Sequence, residues 1–146
     1  LSDADVTFLQ GVSGYGTSLD NKKERQGVNV RYDVGKFTLI GQYMQGTDGE
    51  LERTGWFIQP SYKIDLSDDM YFNKLELVYR YSDLEVDITN DASDSLTWDR
   101  QQHVFAAIID IQKNVKIKAE YYINDEDTGN GDVDNNEIVI QLEVKF

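Results

Sequence analysis

Glu137-Ile138-Val139-Ile140-Gln141-Leu142-Glu143-Val144-Lys145-Phe146 alternates two chemistries almost without a break. Successive side chains of a strand point to opposite faces. Ile138, Ile140, Leu142, Val144 and Phe146 therefore share one face, and Val139, Gln141, Glu143 and Lys145 share the other. An apolar face about 10 residues long that ends on an aromatic has the dimensions of one transmembrane β-strand.

The same unit recurs upstream, and period-2 alternation predicts eight strands. Val6–Ser13 is the first, with either face able to be the apolar one. Gly27–Val34 sets Val28, Val30, Tyr32 and Val34 against Asn29, Arg31 and Asp33. Lys36–Gln45 sets Phe37, Leu39 and Tyr43 against Thr38 and Gln42. Thr54–Ile64 opposes Trp56, Ile58, Tyr62 and Ile64 to Gln59, Ser61 and Lys63. Asn73–Asp83 opposes Leu75, Leu77, Tyr79 and Tyr81 to Glu76, Arg80 and Ser82. Gln101–Ile111 is a strand whose two faces do not separate. Val115–Asn124 places Val115, Ile117, Ala119, Tyr121 and Ile123 against Lys116, Lys118, Glu120 and Tyr122, and the terminal strand completes the set. Pro60 lacks a ladder N–H, so a bulge or irregular pairing is expected there.

The connections carry a second signal. Asp125–Asn136 and Leu84–Arg100 read as long and acidic, Gly14–Gln26 as long, and Gly46–Arg53 as mid-length. Gln112–Asn114 and Val34-Gly35-Lys36 read as tight turns, with Asp65–Tyr71 shorter than its neighbours. Outer-membrane barrels have short turns on one side and longer loops on the other.

Composition agrees with a sheet and removes other classes. The 146 residues suit one domain, so residues 1–146 are expected to be a single β-barrel domain or barrel segment. No run of about 18 apolar residues occurs, which excludes a helical span but not a barrel, where only alternate residues face lipid. Nine Tyr, six Phe and two Trp against one Pro suit strands with aromatic girdles. Cysteine is absent, so disulfides and thiolate metal sites are excluded. The net charge of −13 disfavours nucleic acid as a partner. The opening Leu1-Ser-Asp-Ala-Asp holds no secretory signal, implying one already removed or a C-terminal piece of a longer protein.

Three stretches resemble the phosphate-selective porins of the O/P family. Gly55-Trp56-Phe57-Ile58-Gln59-Pro60-Ser61-Tyr62 is similar to that family's Gly-aromatic-x-x-Gln-x-Ser-Tyr strand. Leu75-Glu76-Leu77-Val78-Tyr79-Arg80-Tyr81-Ser82-Asp83-Leu84 resembles its Ala-Arg-Tyr-Ser-x-Leu-Asp strand. Ile109-Asp110-Ile111-Gln112-Lys113-Asn114-Val115-Lys116-Ile117 looks like its turn, with Lys113 where the family has Pro. The resemblance covers roughly residues 55–146; the first fifty fit only as generic porin strands. It implies the C-terminal half of a sixteen-stranded outer-membrane barrel, assembled as a trimer in lipid and lipopolysaccharide, passing small anions by diffusion. The family's anion constriction lies largely in the other half, so only Arg80 falls on a family-patterned lumen position.

On the polar faces Arg31, Lys63, Arg80, Lys116, Lys118 and Lys145 form a basic bias that would favour anions in a wet lumen; they could equally pair with Asp33, Glu76, Glu120 and Glu143. The acidic stretch holding Asp125, Asp127, Asp132 and Asp134 is a candidate for loosely bound Ca²⁺ or Mg²⁺. Its likeness to an EF-hand loop fails on helix context. No cofactor is expected, and no catalytic role: His103 is alone of its kind, and no nucleophile motif accompanies it. Asp68 and Asp69 sit in a turn, and Gly11-Val-Ser-Gly14-Tyr-Gly16 reads as a turn as well. Two other functions share the strand pattern: a non-conducting eight-stranded anchor whose acidic loops bind a partner or cation, and a soluble β-barrel enclosing a small apolar ligand.

Overall fold

The computed structural model describes residues 23–48, 51–66, 72–88, 99–111, 114–127 and 132–145. They form one antiparallel sheet: β1 (Lys23–Val34), β2 (Phe37–Asp48), β3 (Leu51–Asp65), β4 (Phe72–Ile88), β5 (Asp99–Ile111), β6 (Val115–Asp127), β7 (Asp132–Asp134) and β8 (Glu137–Val144). Each strand pairs with the next, except that β7 and β8 both pair with β6. They do so in one continuous register, Asp127 opposite Asp132 and Tyr122 opposite Glu137. They are two segments of one strand interrupted at Asn135 and Asn136, so eight segments fill seven strand positions. Asn124 closes the interruption by donating from its side-chain amide to the Asn135 carbonyl. β1 and β8 form the two edges of the described sheet and do not pair with each other. The expected strand at Val6–Ser13 and the terminal Phe146 lie outside the described residues.

Cross-strand partners share a face, so the register sorts every side chain. One row of the apolar face reads Val34, Phe37, Tyr62, Leu77, Ala107, Ala119, Ile140; the next reads Tyr32, Leu39, Pro60, Tyr79, Phe105, Tyr121, Ile138. For β5 the register separates the faces that alternation left open. His103, Phe105, Ala107 and Ile109 join the apolar face, while Val104, Ala106 and Ile108 lie behind it.

Burial is inverted relative to a water-soluble sheet. Thr38, Ser61, Glu126, Val86 and Val104 are the buried side chains among the described residues, and all five lie on the polar face. On the apolar face Ile138 is 72% exposed, Ile140 75% and Phe105 49%. The polar side of the sheet is thus the more sheltered one in β2 to β6, and the apolar side the more exposed. Covering one such Ile or Phe is worth roughly 1.5–3 kcal/mol.

Four connections differ from expectation: β1 already begins at Lys23 within Gly14–Gln26, β4 runs to Ile88 and β5 starts at Asp99 within Leu84–Arg100, and the other two change more. Gly46–Arg53 is not a mid-length loop: β2 and β3 run on until Asp48 meets Leu51, leaving a two-residue link. Much of Asp125–Asn136 is strand too, paired as far as Asp127 and Asp132. Polar composition suggested loops, but ladder hydrogen bonds satisfy a polar strand as well as an apolar one. The asymmetry between the two ends survives in another form. Beside the 35–36 turn, and where Ile111 meets Val115, the apolar band reaches the hairpin end through Phe37, Ile111 and Val115, whereas at the opposite end β3 to β6 continue past it as charged ribbon.

Gly35 has φ of 58° in the two-residue turn between Val34 and Phe37, the left-handed value that primed hairpin turns require. At Pro60 the ladder to β2 is intact, but the ladder to β4 skips Gln59 and Pro60 without changing register. Irregular pairing was expected and a lapse is what occurs; the one register shift between β4 and β5 falls at Phe72/Lys74 instead.

Candidate functional site

The two faces of the sheet segregate charge. Every Lys and Arg of the described strands falls on the polar face: Lys23, Arg25, Arg31, Arg53, Lys63, Lys74, Arg80, Arg100, Lys116 and Lys118, with Lys145 just beyond β8. Among the described residues the acids of the apolar face lie toward the charged-ribbon end, Asp83 in the same row as Trp56 and Tyr43. There Glu24, Glu52 and Asp87 share one row, and Asp83 and Asp125 another.

The six cations picked out by alternation all occupy the polar face, yet most are neutralised locally. Arg31 Nε meets Asp33 Oδ2 at 2.7 Å, and Thr38 donates to the other Asp33 oxygen at 2.7 Å. Lys116 lies 3.3 Å from Asp110, Lys118 2.8 Å from Glu120, and Lys145 3.1 Å from Glu143. Lys63 stands opposite Glu76, which accepts a hydrogen bond from Ser61 at 2.9 Å. Lys63 and Lys116 line one small hollow with Lys74, Glu76 and Asp110, of about 170 Å³. Arg31 and Arg80 share a row, separated by Ile40 and Gln59.

Arg80 is different. Its Nε donates to the neutral Gln59 Oε1 at 2.8 Å and its guanidinium lies over the Phe57 ring. No carboxylate among the described residues comes within ion-pair distance of it. It therefore presents its full charge to the sheltered face.

A second group of cations was missed because its residues fell in stretches read as loops. Lys23, Arg25 and Arg53 converge on Asp48 at 3.5, 3.4 and 3.2 Å. Burial pushes the Asp48 carboxyl up, but the three cations outweigh it and hold it below the usual carboxylate value. Beside them opens a hollow of about 570 Å³ lined by Arg25, Arg53, Asn29, Gln42, Met44 and Leu84, with Gly27, Gly46 and Gly55 adding no side chain of their own. A Cβ on Gly27 would stand 2.8 Å from the Tyr43 carbonyl oxygen, and one on Gly55 3.3 Å from Leu84. The signal was available: Lys23, Arg25, Asn29, Arg31 and Asp33 keep strict period 2 with Val28 to Val34.

Of the candidate metal residues, Asp125 pairs with Asp134 and Asp127 with Asp132 along the β6–β7 ladder. Among the described residues no group of three or more His, Asp or Glu side chains is arranged to hold a metal ion. His103 sits within an aromatic cluster near the end of the apolar band. Tyr79 Oη is 2.9 Å from its Nδ1, and the Tyr81 ring lies 4.9 Å away, itself 5.2 Å from Trp56. Amphipathic rings of this kind favour a boundary between apolar and polar surroundings. Comparison with family models, with curated proteins and with solved structures finds no match to this chain.

Proposed function

We propose that this chain forms part of the wall of an outer-membrane diffusion pore that passes small hydrophilic solutes and favours anions. The observation that carries the reading is the inverted burial: the polar face is sheltered and the apolar face is exposed. A soluble sandwich or ligand-enclosing barrel would place Ile138, Ile140 and Phe105 inside. The reading is supported further by the confinement of strand cations to the sheltered face, since cationic side chains along a pore lower the barrier for anions. It includes closure of the β1 and β8 edges by further strands of a barrel, because unpaired backbone groups in lipid cost several kcal/mol each. The O/P porin resemblance at Gly55–Tyr62 and Leu75–Leu84 points the same way, and a trimer in lipopolysaccharide-bearing membrane belongs to the same proposal.

The test is planar-bilayer conductance under a KCl gradient. Stepwise conductance with a reversal potential favouring Cl⁻ is expected. Folded, membrane-inserted protein that conducts nothing would sink the reading and leave the anchor alternative, which the local ion pairing of Arg31, Lys116 and Lys118 favours.

A further inference from the structure

We propose that the hollow shared by β1, β2 and β3 on the polar face binds one neutral hexopyranose, a sugar ring with an apolar face and a hydroxyl edge. Its place in transport rests on the pore reading; its binding chemistry does not.

Glycine shapes the hollow. Gly27, Met44, Gly55 and Leu84 form one row of the polar face, and Arg25, Gly46 and Arg53 form the next row toward the charged ribbon. Each glycine leaves a gap that a neighbouring side chain leans across. A Cβ on Gly27 would stand 3.1 Å from Met44 Cγ, one on Gly46 3.5 Å from Arg25 Cγ, and one on Gly55 3.3 Å from Leu84 Cδ1. Aliphatic carbon thus lies along the wall instead of standing out from it. Met44 and Leu84 remain 53% and 38% exposed, so this platform is open to a solute.

Hydrogen-bonding groups border the platform on both sides. Asn29 and Gln42 face each other one row away, and neither side-chain amide has a hydrogen-bond partner among the described residues. On the other side Arg25 and Arg53 donate to Asp48 at 3.4 and 3.2 Å, which leaves further guanidinium N–H groups to donate. The two borders are four residues apart along β1, roughly 13 Å, and β1 to β3 spans roughly 10 Å. With the border side chains leaning in, that area takes one sugar ring. The volume of about 570 Å³ is in the range of small-ligand sites.

The balance of donors and acceptors selects the ligand. An amide offers N–H and C=O together, a guanidinium only N–H, and a carboxylate only oxygen. An oxyanion can use the donors, but it has nothing to give the Asn29 and Gln42 carbonyls or Asp48. A hydroxyl both donates and accepts, so a ring carrying several satisfies both borders while its C–H face covers Met44 and Leu84. Recognition of this kind does not depend on the net charge of the surrounding wall.

The test is saturation-transfer NMR of the full chain, folded in zwitterionic detergent, with glucose and with the open-chain hexitol sorbitol. Saturable binding of glucose is expected, severalfold tighter than that of sorbitol, which has the hydroxyls without the ring face. Asn29→Ala/Gln42→Ala should weaken glucose binding about tenfold, and Lys36→Gln should leave it unchanged. Circular dichroism verifies the fold, and the two single variants replace the double if it fails to fold. No binding by the parent, equal binding of glucose and sorbitol, or undiminished binding by the amide variants overturns the site; so does displacement of glucose by inorganic phosphate. Displacement by lipopolysaccharide upholds the sugar chemistry and assigns it to a membrane glycan, whereas indifference to lipopolysaccharide assigns it to free sugar. Failures are distinguishable: conductance without glucose binding removes only the site, whereas glucose binding without conductance removes only the pore.

Discussion

The Arg80 guanidinium lies over the Phe57 ring, 4.7 Å from its centroid, on a sheltered face where no carboxylate among the described residues pairs with it. The contact spans β3 and β4 beside the two positions, Gln59 and Pro60, where their ladder lapses. Arg80 therefore ties the strands by side chain where the backbone does not, through the ring and through Gln59.

Arg80→Gln is expected to lower the anion-over-cation permeability ratio severalfold while changing stability by about 1 kcal/mol or less, the scale of an exposed cation–π contact. Arg31→Gln, by contrast, strips a partner from Asp33. Reversal potentials and urea midpoints of the two variants check this. An unaltered ratio in Arg80→Gln would remove Arg80 from the anion path.

Ala106 and Ala107 are adjacent but lie on opposite faces. Arginine at a lipid-facing position near the bilayer midplane costs roughly 2–4 kcal/mol. Ala107→Arg should therefore destabilise the protein in lipid vesicles by that order, and Ala106→Arg by clearly less. Reversible urea unfolding in vesicles measures both, and the opposite ranking would mean that the greasy face points into a core.

Gly27 and Gly41 give a second paired test. A Cβ at Gly27 meets the Tyr43 carbonyl oxygen at 2.8 Å, whereas at Gly41 the nearest atom is the Phe57 carbonyl oxygen at 3.7 Å. Gly27→Ala is expected to destabilise by about 1–3 kcal/mol through forced backbone movement. Gly41→Ala should be neutral or stabilising by up to about 1 kcal/mol, since glycine inside a strand costs entropy. Equal urea midpoints would show that β1 and β2 can separate without cost.

Asp48 sets an acid limit. Burial raises its pKa, but Lys23, Arg25 and Arg53 lower it more, so the folded value lies below the unfolded one. A group depressed in this direction contributes stability above its unfolded pKa, about 3.9, and loses it as pH falls through the folded value. Its contribution should hold from pH 7 to about 4 and decline below that. Asp48→Asn should flatten that part of the acid decline in urea midpoint; identical acid sensitivity would show that the cluster does not couple to folding.

The sequence by itself determined which residues share a face. Alternation at Val28–Val34, Leu75–Tyr81 and Ile138–Val144 is a property of the strand backbone, and no tertiary detail can reverse it. The same period placed Arg31, Lys63, Arg80, Lys116, Lys118 and Lys145 together on the polar face. Strand ends were less legible, because Lys23–Gln26, Gly46–Arg53 and Asp125–Asp134 are polar on both faces and hydropathy cannot tell ribbon from loop. Ladder pairing alone extends them, and that extension assembles Lys23, Arg25 and Arg53 around Asp48. Only tertiary structure decided which face is sheltered, since alternation is symmetric to inside and outside. It also decided which cations have a carboxylate of their own, because that depends on cross-strand register and side-chain reach rather than on spacing along the chain.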